Sequence, residues 1–128
     1  MRRITTILAA TAIAAIAVPA SAPASGGGGT IRSPGKCSAA STSKIKVKPR
    51  DGRLEVELEV DQNRNGVKWN WKLKDNSALV FHGTATTKAP SGSFSVERKI
   101  NDSAGNDDVV GIGRNPKSGE RCVANVTV

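Results

Sequence analysis

The chain has 128 residues, with 19 Lys and Arg against 11 Asp and Glu, one His, two Cys and four aromatic side chains. That length allows one domain with a modest core. One His and two Cys exclude a four-ligand zinc site built without carboxylates.

The first expected element is an export signal. Arg2 and Arg3 precede an apolar run from Ile7 to Val18, too short to span a bilayer as a helix, and small residues follow as far as Ala24. This is the pattern of a secretory signal peptide over 1–24, with cleavage after Ala24 or, second, after Ala20. Residues 25–35 (SGGGGTIRSPG) read as a flexible linker and 36–128 as the folded domain. A secreted, extracellular product without a membrane span is expected. Without Arg2 and Arg3, 17 Lys and Arg face 11 Asp and Glu. The surplus is spread along the chain, so a solvated basic surface is expected, with no specific nucleic-acid partner.

From residue 44 on, the period is two. Ile45 and Val47 alternate with lysines; Leu54, Val56, Leu58 and Val60 alternate with glutamates; Val67, Trp69, Trp71 and Leu73 alternate with Lys and Asn. Such alternation signals half-buried antiparallel strands. Asp51-Gly52 is a two-residue hairpin turn, which predicts Lys48 opposite Glu55, Lys46 opposite Glu57 and Lys44 opposite Glu59. Pro49 lacks an N–H, which places this first strand at a sheet edge. Further strands are predicted at 79–87, weakened at Gly83, and around Phe94 to Ile100, Val109 to Gly113 and Cys122 to Val128. Seven strands in about 90 residues, with frequent turn signals, predict an all-β chain: a single immunoglobulin-like antiparallel β-sandwich. A small meander β-barrel is the alternative.

With an oxidising destination, Cys37 and Cys122 are expected to form one disulfide. In immunoglobulin-like sandwiches the first strand often runs parallel beside the last, and that arrangement would bring the two cysteines together. The runs CSAASTSKIKVKPRDGRLEVELEVDQNRNGVKWNWKL (37–73) and TTKAPSGSFSVERKI (86–100) resemble small secreted proteins of actinobacteria. The resemblance implies export, a Gly/Ala-rich linker and one immunoglobulin-like sandwich. It implies no activity and no functional residues.

Three motifs bear on function. Asp61, Asn63, Asn65 and Gly66 match positions 1, 3, 5 and 6 of an EF-hand loop, but Lys72 stands at the twelfth position, where a bidentate Glu is needed. A turn is expected there, unless Asp75 or Asp107 supplies the late carboxylate. Trp69 and Trp71 share one strand face, either as core or as a sugar-stacking platform. His82 lies mid-strand with no nucleophile motif beside it. The reading is a monomeric, non-enzymatic, cofactor-free module that binds an extracellular protein or polysaccharide. The loops at 61–66, 88–92 and 101–107 are its expected contact surfaces. The alternatives are a carbohydrate-binding module using Trp69 and Trp71, and a protease inhibitor presenting the KAPSG loop.

Overall fold

The computed structural model describes residues 29–128; the expected signal peptide lies outside the described residues. Nine strands follow in order: β1 (Ile31–Pro34), β2 (Lys36–Cys37), β3 (Thr42–Arg50), β4 (Arg53–Asp61), β5 (Lys68–Asp75), β6 (Ala78–Thr86), β7 (Ser93–Asn101), β8 (Asp108–Arg114) and β9 (Arg121–Thr127). They form two antiparallel sheets, β1-β3-β4-β7 and β2-β9-β8-β5-β6. The seven predicted strands are β3 to β9. Their split, β3-β4-β7 against β9-β8-β5-β6, is the order of an immunoglobulin-type sandwich. The meander barrel is thereby set aside.

The period-two alternation drives this assembly. Ile45, Val47, Leu54, Val56, Leu58 and Val60 point inward and are essentially fully buried. From the other sheet, Trp69, Leu73, Val109, Cys122 and Ala124 meet them. The β3–β4 register is the one the Asp51-Gly52 turn predicts, with Lys44, Lys46 and Lys48 opposite Glu59, Glu57 and Glu55. Asp51 and Gly52 both take positive φ, 53° and 73°, as a type I′ turn requires.

Two expectations about the chain's start are corrected. Residues 31–34 are not linker: β1 pairs with β3 from Ile31↔Val47 to Pro34↔Lys44. A short strand flanked by glycines carries too little alternation to announce itself. β3 is therefore not the sheet edge over 44–47; Pro49 sits just beyond the stretch that β1 covers. After β1 the chain crosses to the other sheet, where β2 pairs with β9. Gly35 makes that crossing possible, because a Cβ there would stand 2.8 Å from both the Ala124 Cβ and the Val123 carbonyl oxygen.

The Cys37–Cys122 disulfide is present, with an S–S distance of 2.07 Å. The strands it joins are antiparallel, not parallel: Cys37 stands directly opposite Cys122, and Lys36 opposite Val123. It closes a separation of 85 residues. In the chain-entropy account such a closure contributes up to about 4 kcal/mol.

Candidate ligand-binding face

The two tryptophans are not a sugar platform. Trp69 is 0 % and Trp71 3 % exposed, which corrects their assignment as ligand contacts. The physical reason is parity. Lys68, Asn70, Lys72 and Lys74 occupy the outward face of β5, so Trp69 and Trp71 must fill the inward one. Trp69 donates from Nε1 to Gln62 Oε1 at 2.9 Å and packs on Phe94, with ring centres 6.1 Å apart. The Trp71 indole lies over Gly83, where a Cβ would come within 2.9 Å of its ring. The Gly83 that weakened the strand signal is thus the space Trp71 occupies.

The EF-hand-like segment is a turn. Asp61 Oδ1 accepts from the Asn63 backbone N–H at 2.9 Å, and Asn63 and Gly66 take positive φ. The late carboxylates once imagined for it lie elsewhere: Asp75 ends β5, seven residues beyond Lys68, roughly 23 Å away along the strand. The KAPSG loop is drawn in on itself, with Lys88 N–H donating to the Ser93 carbonyl and Gly92 N–H to the Lys88 carbonyl. Cys37, Glu120 and Cys122 converge, but the sulfurs are bonded to each other. Glu120 there accepts from the Ala39 and Ser41 N–H groups and the Ser41 hydroxyl, which makes it a structural staple and not a metal ligand.

What the fold does assemble is a segregation of charge. On the outer face of the four-stranded sheet, signs alternate and pair: Lys44–Glu59 at 3.6 Å, Lys46–Glu57 at 3.3 Å, and Arg50 and Lys99 on Glu55 at 3.5 and 3.9 Å. The outer face of the five-stranded sheet is different. It presents Lys36 from β2, Arg121 from β9, Arg114 from β8, and Lys68, Lys72 and Lys74 from β5, with His82 from β6 opposite Lys72. None of these cations joins an ion pair among the described residues. Asp108, at the far rim, is the one carboxylate of that face among the described residues.

The register sets this array. Arg114 stands directly opposite Arg121 on one side and Asn70 on the other; Lys72 stands between Ile112 and His82. Neighbouring strands lie about 4.8 Å apart and same-face residues about 6.8 Å apart along a strand. Asn70, Lys72, Lys74, Ile112, Arg114 and Arg121 line a shallow depression of about 230 Å³. Ile112 is the apolar residue of its lining; Val110 and Val123, also half-buried, face outward on the same sheet face. Like charges directly opposed on a sheet are destabilising. The Arg114–Arg121 pair therefore works against folding and has no structural partner to explain it.

The sequence reading missed this face because its cations are scattered from residue 36 to residue 121. They meet only through the pairing of β5 with β8, of β8 with β9 and of β9 with β2, which no local pattern reveals.

A second polar cluster is internal. Asp75 is 9 % and Asp107 0 % exposed, and neither Asp75 Oδ1 nor Asp107 Oδ2 has a hydrogen-bond partner among the described residues. Asp107 Oδ1 accepts from the Ser103 N–H at 3.2 Å. Burial, with the hydrogen bond and charge of Asp107, raises the Asp75 carboxyl from 3.8 to about 6. Burial also pushes Asp107 up, but hydrogen bonds from Asp75, Ser103 and Asp102 outweigh it and hold this carboxyl below its ordinary value. Burial beside a second carboxylate thus favours the protonated form of Asp75 in mildly acid solution.

The linkage follows from the signs. Between pH 3.8 and about 6, folded Asp75 binds a proton that the unfolded chain does not. Its contribution is therefore complete below 3.8 and is lost as pH rises through 6. Asp107 acts oppositely, losing its contribution as pH falls below the ordinary carboxylate range. Stability should peak in mildly acid solution, at about pH 4–5, and fall by roughly 2 kcal/mol towards pH 7. Asp75→Asn supplies the donor without the proton. It should raise Tm at pH 7 and flatten the profile between pH 4 and 7. Equal wild-type Tm values at pH 5 and 7.5 would contradict the raised Asp75 carboxyl.

Fold and surface together define a disulfide-closed, two-sheet antiparallel β-sandwich with one cationic sheet face. Comparison of the chain with protein-family models, with curated proteins and with solved structures gives no match.

Proposed function

We propose that the protein is an exported, non-catalytic binding module that holds an anionic polysaccharide on the outer face of its five-stranded sheet. The observation that carries the proposal is the charge segregation: glutamates of β4 pair with Lys44, Lys46, Arg50 and Lys99 on one sheet and leave Lys48 and Arg32 over, while none of the cations on the outer face of the other sheet is paired among the described residues. A flat array of cations interspersed with half-buried apolar side chains suits a linear polymer of sugar rings bearing carboxylate, sulfate or phosphate. A single-stranded nucleic acid would want exposed aromatic rings for base stacking, and both tryptophans are core residues. Export rests on the secretory pattern of 1–24 and accords with the disulfide. No helix among the described residues is long and apolar enough to cross a membrane.

The test is titration of the folded domain with polygalacturonate, a carboxylated chain, and with dextran, a neutral one. Polygalacturonate should bind and dextran should not. Affinity should fall linearly with salt on logarithmic axes, with a slope that drops by about one for each interface cation removed. Equal binding of the two polymers, or binding insensitive to salt, would sink the proposal.

A further inference from the structure

The four sheet edges are not alike. β1 is four residues long, carries Arg32 and ends on Pro34; β2 has two residues; β7 carries Glu97, Arg98 and Lys99. Charge, proline and shortness are the usual guards against a further strand. β6 has none of these three, and its one irregularity is a bulge that leaves Val80 unpaired between Phe81 and Leu79. It is nine residues long, ALVFHGTAT, with no Lys, Arg, Asp, Glu or Pro. Leu79, Val80 and Phe81 are 51 %, 38 % and 37 % exposed, consecutive along an edge whose far side has no paired strand among the described residues.

The surroundings of that edge are cationic. Arg98, reaching from the adjacent edge β7, places its guanidinium 5.0 Å from the Trp71 ring centre and 6.0 Å from that of Phe81. It donates to the Glu97 carbonyl at 2.7 Å and pairs with no carboxylate among the described residues. On the other side of β6, His82 is in register with Lys72. Two copies joined edge to edge would bring these cations against their counterparts. An extended acidic segment would meet them with opposite charge.

We propose that the free edge of β6 takes an added strand from a partner protein: an extended, glutamate- or aspartate-bearing segment that pairs with the β6 backbone and sets its carboxylates against Arg98 and Lys72. Backbone hydrogen bonds supply affinity in this mode, and the alternate side chains supply specificity. The site lies at the free edge of β6 and shares Lys72 with the polysaccharide face.

The experiment uses isotope-labelled protein and two capped octapeptides, one alternating Glu and Val, the other Lys and Val. Amide exchange is followed by NMR. The Glu peptide should slow exchange of β6 amides, and the Lys peptide should not. Leu79→Glu with Val80→Glu, both exposed positions, should weaken the Glu peptide by at least about tenfold, because like charges would then oppose the added strand. Arg114→Gln with Arg121→Gln should leave β6 protection in place while weakening polygalacturonate. Four results would overturn the proposal: no binding at millimolar peptide; equal protection by both peptides; shifts confined to Arg114 and Arg121; or β6 protection that grows with protein concentration alone, which would assign the edge to a second copy.

Discussion

Trp69→Ala is expected to lose about 4 kcal/mol of stability, read from the urea midpoint of the folded domain. Trp69 is fully buried, is among the largest core side chains, and abuts Phe94 from the facing sheet. Removing it takes away its transfer free energy and leaves a cavity that the strands on both sides cannot close. It also strands the Gln62 Oε1 atom that accepts from the indole. A domain of this size has roughly 5–15 kcal/mol in total, so the loss is a large fraction. Trp69→Phe keeps most of the volume and should cost less than half as much. A Trp69→Ala variant within 1 kcal/mol of wild type, on the scale of an ordinary surface substitution, would contradict the burial that excludes this residue from ligand contact.

Glu120→Ala is expected to cost about 3 kcal/mol, for a different reason. Glu120 is 7 % exposed and accepts three hydrogen bonds, at 3.1 Å from Ala39 N–H, 3.0 Å from Ser41 N–H and 2.6 Å from the Ser41 hydroxyl. These tie the segment between β2 and β3 to the turn between β8 and β9, beside the disulfide. Charge-assisted bonds of this kind are about twice as strong as neutral ones. Alanine leaves three donors without a partner, whereas Glu120→Gln retains an acceptor oxygen and should lose less. Thermal denaturation of the two variants in parallel separates lost hydrogen bonding from lost volume. Equal losses would show that the carboxylate's bonds, and not the side chain's volume, carry the whole contribution; a Glu120→Ala loss under about 1 kcal/mol would contradict the staple.

Local chemistry was legible in the sequence. Asp51-Gly52 set a turn, the turn set a register, and Lys–Glu opposition along β3 and β4 agreed with it. Parity along VKWNWKL put both tryptophans on one face and the lysines on the other, and left to the packing of the two sheets which face is buried. Non-local pairing was not legible. β1 is short and lies among glycines, so its cover of β3 had no signal of its own. The disulfide partners were identifiable because there are only two cysteines, yet their antiparallel setting depends on a sheet switch at Gly35. The cationic face depends on three strand pairings between distant segments. A charge surplus that looks uniform along the chain is therefore far from uniform in space.

The most direct measurement sets two triple variants of equal net charge against each other. One is Lys72→Gln with Arg114→Gln and Arg121→Gln; the other is Lys44→Gln with Lys46→Gln and Lys48→Gln. The first strips the outer face of the five-stranded sheet, and the second strips the ion-paired face. With polygalacturonate at low salt, the first should bind at least about 30-fold more weakly than wild type, as expected when several counterion-releasing contacts go. It should keep or slightly gain Tm, because opposed like charges are relieved. The second should bind within about twofold of wild type and lose a little stability with its ion pairs. If both variants weaken binding equally, the polymer reads net charge and not a face, and the central claim is wrong.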